Sequence, residues 1–309
     1  MRPGFFLPLW ASLLLASRAS GQATSTSTLV ERFAAFTAVT GMEQAVVDSL
    51  IGGLLPNARR DRSGSAVLVL GSGAPRRLVA CPLDEPGWVV GGVGVDGYLT
   101  LRRAPGRLPS PLFDQQLEGH RVTLYGRRGP VPGVVAVRSV HLTRGRGAGP
   151  DEPFSVDDAR VDIGASTAQQ VGALGVGVLT PVSLTKKPLR YGSDLVAAPV
   201  AGRRAACAAL VLAALNARAP AGTVVVAFLT EQNLSQRGLR TVRRTQGPFS
   251  AELIVDGGAG ARGTLEVPRA SAEGWLLPAA NAGTPVETVS LKGVDSLQAT
   301  IGRWIAGAP

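Results

Sequence analysis

The stretch TVVVAFLT (223–230) constrains this chain more than any other. Its interior holds no polar residue, so a strand made of it is buried on both faces and needs a helix layer on each side. RRLVACPL (76–83) is a second buried strand, and ELIVDGG (252–258) is a third that ends in a carboxylate. Helical spacing surrounds them. Leu29, Val30, Phe33 and Phe36 share one face, Val46, Val47, Leu50, Ile51, Leu54 and Leu55 another, and AACAALVLAALNA (205–217) reads as a buried helix. Leu297, Ile301, Trp304 and Ile305 line a last helix. This pattern predicts an α/β fold, a three-layer α/β/α sandwich.

Between about 100 and 190 the texture changes to short strands, such as RVTLYG (121–126) and GVVAVRS (133–139), broken by Gly and Pro turns. That stretch predicts a small β-barrel-like domain. The expected organisation is a discontinuous α/β domain, 24–99 plus 188–309, interrupted by an insert at 100–187. Asp96-Gly97 marks a hairpin, and Ser166 with Gln169 forms a capping box for one short helix near 166–173.

Met1-Arg2, an apolar run from Phe5 to Ala16 and the small residues of SRASGQA follow the order of a secretory signal peptide. Residues 1–23 are therefore expected to be a cleaved leader, the mature protein to be periplasmic or extracellular, and no membrane span to remain after cleavage. Cys81 and Cys207 could form one bridge in an oxidising compartment or remain buried thiols. The formal charge of +10 is almost wholly arginine, since lysine occurs only at 186, 187 and 292. The arginines come as scattered doublets, Arg203-Arg204 among them, without interleaved aromatics. Compositional bias explains them, and no nucleic-acid partner is expected. Arg237, Arg240, Arg243 and Arg244 form a basic stripe if their segment is helical, which would suit an anionic polymer. With only two histidines, His120 and His141, both in the barrel segment, metal chemistry has few imidazoles to draw on.

The order of segments resembles the glutamyl-aminopeptidase family of dinuclear metallopeptidases, which includes the tetrahedral aminopeptidases. DRSGSAV resembles that family's D-x-x-G-N turn, and CPLDEPG its H-x-D-E-x-G metal motif. HRVTLYGRRGPVPGVV and VDIGASTAQQVGALGV resemble its barrel segments. TEQNLSQRGLRTV stands where the family has Q-E-E-V-G-L-R-G-A, and AGTPVETVSLKGVDSL where it has a histidine, then x-P-x-E and the last helix. The resemblance implies two zinc ions about 3.5–4 Å apart, a bridging water and a glutamate base.

Carried over residue by residue, the resemblance places the first histidine ligand on Pro82 and the bridging aspartate on Ala201 or Gly202. The base falls on Gln232, the ligand glutamate on Asn233 and the last histidine on Gly283. Asp256 is the one ligand position retained, and Asp84 keeps the place of the residue that orients the first ligand. Neutral amides take no proton from water and coordinate zinc poorly. The expectation is an exported, non-catalytic homologue that binds peptides or a homologous subunit, with a homo-oligomer possible. No cofactor is expected, or at most one weakly held divalent ion. The alternative is an active hydrolase rebuilt around Asp84, Glu231 and Asp256, with Glu85 beside them.

Overall fold

The computed structural model describes residues 25–106, 110–137, 153–218 and 220–307. The expected leader, His141 and most of the Gly/Arg-rich loop near 143–154 lie outside them. Seven strands form the main sheet, in the order β1 (Arg59–Arg60), β2 (Ala66–Gly71), β12 (Thr223–Leu229), β3 (Arg76–Pro82), β13 (Ala251–Ala259), β15 (Gly274–Ala279) and β14 (Arg269–Ala270). Strands β12, β3, β13 and β15 run parallel, and β2 is antiparallel to β12.

The alternation along β12 explains why every residue in it is buried. Val224, Val226 and Phe228 enter the larger core, while Val225, Ala227 and Leu229 enter a smaller one on the other face. Helices α1 (Thr26–Ala35), α2 (Gln44–Ser49), α4 (Ala201–Leu215) and α6 (Leu291–Ala306) supply the larger core, and α5 (Arg237–Gln246) covers the smaller with Leu239 and Val242. Alanine dominates α4, which keeps helix propensity high and lets α1, α6 and β13 approach it closely. Helix α6 buries Val294, Leu297, Ile301 and Ile305. Ser290 caps its start and left-handed Gly307 its end.

The insert is a closed barrel of β4 (Trp88–Val93), β5 (Leu99–Arg103), β8 (Arg160–Asp162), β7 (Gly129–Val135), β6 (Arg121–Gly126) and β9 (Pro181–Leu184). It begins at Trp88, not at residue 100. Trp88, Val90, Leu99 and Leu101 point into the barrel core, and β4 closes the ring against β9. The Asp96-Gly97 hairpin joins β4 to β5, with Gly97 at φ +83°. Thr167, not Ser166, caps α3 (Ala168–Ala173). Thr167 is extended and its hydroxyl accepts from the Gln170 N–H, while the Ser166 N–H turns to the Gln170 side chain. A three-stranded sheet of β10 (Leu189–Tyr191), β11 (Leu195–Ala197) and β16 (Thr288–Ser290) lies where the chain returns from the barrel. Among the described residues no helix is long and apolar enough to cross a membrane.

Candidate functional site

The parallel strands deliver their carboxyl ends to one edge of the sheet, where ligands bind in open α/β folds. Asp84 and Glu85 follow β3, residues 231–233 follow β12, Asp256 lies in β13, and Gly283 lies beyond β15. The first turn of α4 enters between them. A cavity of about 480 Å³ opens here, lined among others by Phe113, Arg203, Asn233, Asp256, Gly283 and Glu287.

Arg203 is the centre of this cleft. Its Nε donates to Asp256 Oδ1 at 2.9 Å and its Nη2 to Asp256 Oδ2 at 2.8 Å, a bidentate pair. Nη1 donates to the Asp84 carbonyl and lies 4.0 Å from Asp84 Oδ1. Burial works against the guanidinium charge, but Asp256, Asp84 and Glu287 outweigh it and raise the Arg203 pKa.

Asp84 is fully buried. Its Oδ2 accepts the Asn233 N–H at 2.7 Å and the Thr40 hydroxyl at 3.2 Å, while Oδ1 has no hydrogen-bond partner. Glu85 turns the other way. It accepts the Ala38 N–H and pairs with Lys186 and, at 2.6 Å, with Arg204. Burial opposes its ionisation, yet the two cations hold its pKa below the ordinary carboxylate value. Lys186 suffers more from burial, which brings its pKa down to about 8 against the pull of Glu85.

The sequence-predicted residues are thus only partly together. Asp84 and Asp256 meet at Arg203, but Glu231 pairs with Arg237 at 2.7 Å. Gln232 donates its amide to the Thr230 carbonyl, and only Asn233 of this segment lines the cavity. Pro82 ends β3, and Ala201 is part of the sandwich core. Among the described residues no group of three or more His, Cys, Asp or Glu side chains is placed to hold a metal ion. His120 is exposed in the barrel, with Nδ1 at 3.0 Å from the Glu118 carbonyl. The α5 stripe is partly neutralised, because Arg243 pairs with Glu252 as Arg237 does with Glu231.

Several residues escaped the sequence reading. Arg203-Arg204 is no compositional accident, since both side chains are buried or half-buried against carboxylates. Glu287, in the quoted T-P-V-E tract, accepts the Gly202 N–H at 2.6 Å and the Gly283 N–H at 2.8 Å. It therefore ties together two positions that the resemblance matched to metal ligands. Burial, with the Asp256 charge nearby, raises the Glu287 pKa. Glu43 is also buried. It accepts the Gly41 and Glu231 N–H groups through one oxygen, and burial raises its pKa. Cys81 and Cys207 are not free thiols but a disulfide between β3 and α4.

A helix-covered mixed sheet, with a closed barrel inserted after a parallel strand and a cleft at the strand ends, defines a peptidase-type α/β fold. The chain belongs to the M42 glutamyl aminopeptidase family, whose model matches residues 64–266. It is 33% identical over 181 residues to the protein SgcX of Escherichia coli (strain K12), a match covering 56% of this chain and 46% of that protein. It is 27% identical over 217 residues to FrvX of the same strain, covering 69% of this chain and 59% of that one. The chain thus spans about half the length of the curated relatives it matches. The solved Pyrococcus horikoshii TET1 peptidase superposes with a TM-score of 0.77 at 18% identity, over 91% of this chain and 99% of that one. At that identity the superposition speaks for the fold.

Proposed function

We propose that this chain is an exported M42-family protein that keeps the fold and the cleft, does not carry out two-metal hydrolysis, and acts by binding peptides or by joining an assembly. One observation carries the reading. Asp256, the only matched ligand position with an anionic donor, spends both carboxylate oxygens on Arg203. A divalent ion is held when several anionic and imidazole donors together offset its loss of hydration. Pro82, Ala201, Gly202, Asn233 and Gly283 supply no such donor, and Gln232 is no base. The donor set present does not fit a pair of divalent ions.

Export is supported by the order of residues 1–23 and by the Cys81–Cys207 bridge, since such bridges persist in oxidising compartments. Assembly is supported by kinship, because the TET1 peptidase is described as assembling into a tetrahedron or a large octahedral shell. The test is metal analysis of the mature protein with hydrolysis of a panel of aminoacyl substrates. Near-stoichiometric zinc together with turnover that Asp256→Asn abolishes would overturn the proposal. Absence of turnover across several metals supports it.

A further inference from the structure

The cleft poses an electrostatic problem. Asp84, Asp256 and Glu287 come from three separate segments and converge on one place. Asp84 is fully buried and Glu287 nearly so. One oxygen of Asp84 has no hydrogen-bond partner at all. Carboxylates held together in this way repel one another and lose hydration, so a fold that keeps them needs a positive charge between them. Asn233, the only side chain of the 231–233 segment in the cavity lining, is neutral. The N-terminal end of α4 contributes the Gly202 N–H, and Glu287 already takes it.

Arg203 is placed to meet that need. It leaves the first turn of α4, reaches β13 through two bonds to Asp256, and reaches the end of β3 through the Asp84 carbonyl. Its one guanidinium therefore links three elements of the sandwich at the site edge. An arginine in the first turn of a helix sits at the unfavourable end of the helix dipole, so local helix energetics do not explain its position. The carboxylates do.

We infer that the Arg203 guanidinium is a built-in cation that offsets the negative charge of this cleft and ties the Asp256 carboxylate to the end of β3, doing the structural work that a bound metal would otherwise do. The inference rests on the reading above of a cleft without two-metal chemistry. It makes the shape of the cleft independent of metal supply, and it presents a ligand with a preformed cation–anion pair, since Arg203 and Asp256 are each about one-fifth exposed.

The experiment is a charge cycle read by thermal melting. Arg203→Met keeps much of the side chain and removes the charge. It should lower Tm by roughly 5–10 °C at pH 7.5, the scale for stripping a partly buried carboxylate of its partner. Adding Asp256→Asn to that variant removes the stranded charge and should recover most of the loss, and Arg203→Lys should lose less than Arg203→Met. A double variant as unstable as Arg203→Met, or equally unable to fold, would overturn the inference and assign Arg203 to packing. Wild-type Tm should be unmoved by EDTA or by equimolar zinc, and a marked shift with either would also overturn it. Failure of the functional reading would show separately, as aminoacyl hydrolysis by the wild-type protein.

Discussion

Cys81 in β3 is bridged to Cys207 in α4, with the two Cα atoms 5.5 Å apart and a sequence separation of 126. These are the elements that deliver Asp84 and Arg203, so the bridge fixes the spacing of the cleft from behind. Closing so long a loop restricts the unfolded chain strongly, and removing such a bridge costs about 2–5 kcal/mol. Cys81→Ser/Cys207→Ser should therefore melt on the order of 10 °C below wild type. Folding without reductant should give more native protein than folding with it. Equal melting of the oxidised and reduced wild-type proteins would argue against the bridge.

Glu43 predicts a pH dependence. Burial raises its folded pKa above the ordinary value of 4.5, so the folded state holds its proton more tightly than the unfolded chain does. The associated stability is fully present below about pH 4.5 and is lost as pH rises through the folded value. Glu43→Gln keeps the oxygen that accepts the Gly41 and Glu231 N–H groups and removes the ionisation. The Tm of the variant, taken relative to wild type, should rise between pH 4.5 and 8. A constant difference across that range would count against a raised pKa.

Much of the sandwich was legible in the sequence, because burial on both faces leaves an unbroken apolar run such as TVVVAFLT. The capping and hairpin chemistry was legible to within a residue, since those signals are local. The barrel boundary was not. WVVGGVGVDGYLTLRR alternates as any hairpin does, and only its pairing with β8 and β9, some 60 to 90 residues away, assigns it to the barrel. Arg203 and Arg204 were hidden for a similar reason. A doublet in an arginine-biased chain carries no local signal, and its meaning lies in Asp84, Glu85 and Asp256, all distant in sequence. Glu287 stood in a tract already singled out, but that it caps Gly202 and Gly283 depends on the fold.

The two chain crossings between sandwich and barrel make an asymmetric prediction. Glu85 lies on the outgoing crossing and Lys186 on the returning one, and Arg204 joins them to give two buried cations around one carboxylate. Glu85→Gln strands both cations and should cost about 3–5 kcal/mol. Lys186→Met leaves the Arg204–Glu85 pair intact and removes the charge that burial already disfavours, so it should cost far less, about 1 kcal/mol. Urea melts of the two variants measure this order, and the reverse order would contradict the charge balance described for the cluster.

The backbones of β13 and the start of α4 approach each other closely in the site. A Cβ on Gly257 would stand 2.4 Å from the Arg203 nitrogen and 2.5 Å from the Gly202 carbonyl carbon, both backbone atoms that cannot swing away. A Cβ on Gly202 would stand 2.9 Å from Glu287 Oε1, the end of a side chain that can give way, although Gly257 Cα follows at 3.1 Å. Gly257→Ala must push α4 off the sheet and pull Arg203 away from Asp256, so it should be the more damaging, at roughly 3 kcal/mol or more. Gly202→Ala should cost about half as much. The same crowding bears on any attempt to restore a metal ligand at position 202, because an aspartate there would need the space that Glu287 and Gly257 fill. Thermal melts of Gly202→Ala and Gly257→Ala test the packing directly. Equal, small losses would mean that the helix sits farther from β13 than described and that position 202 can accept a side chain.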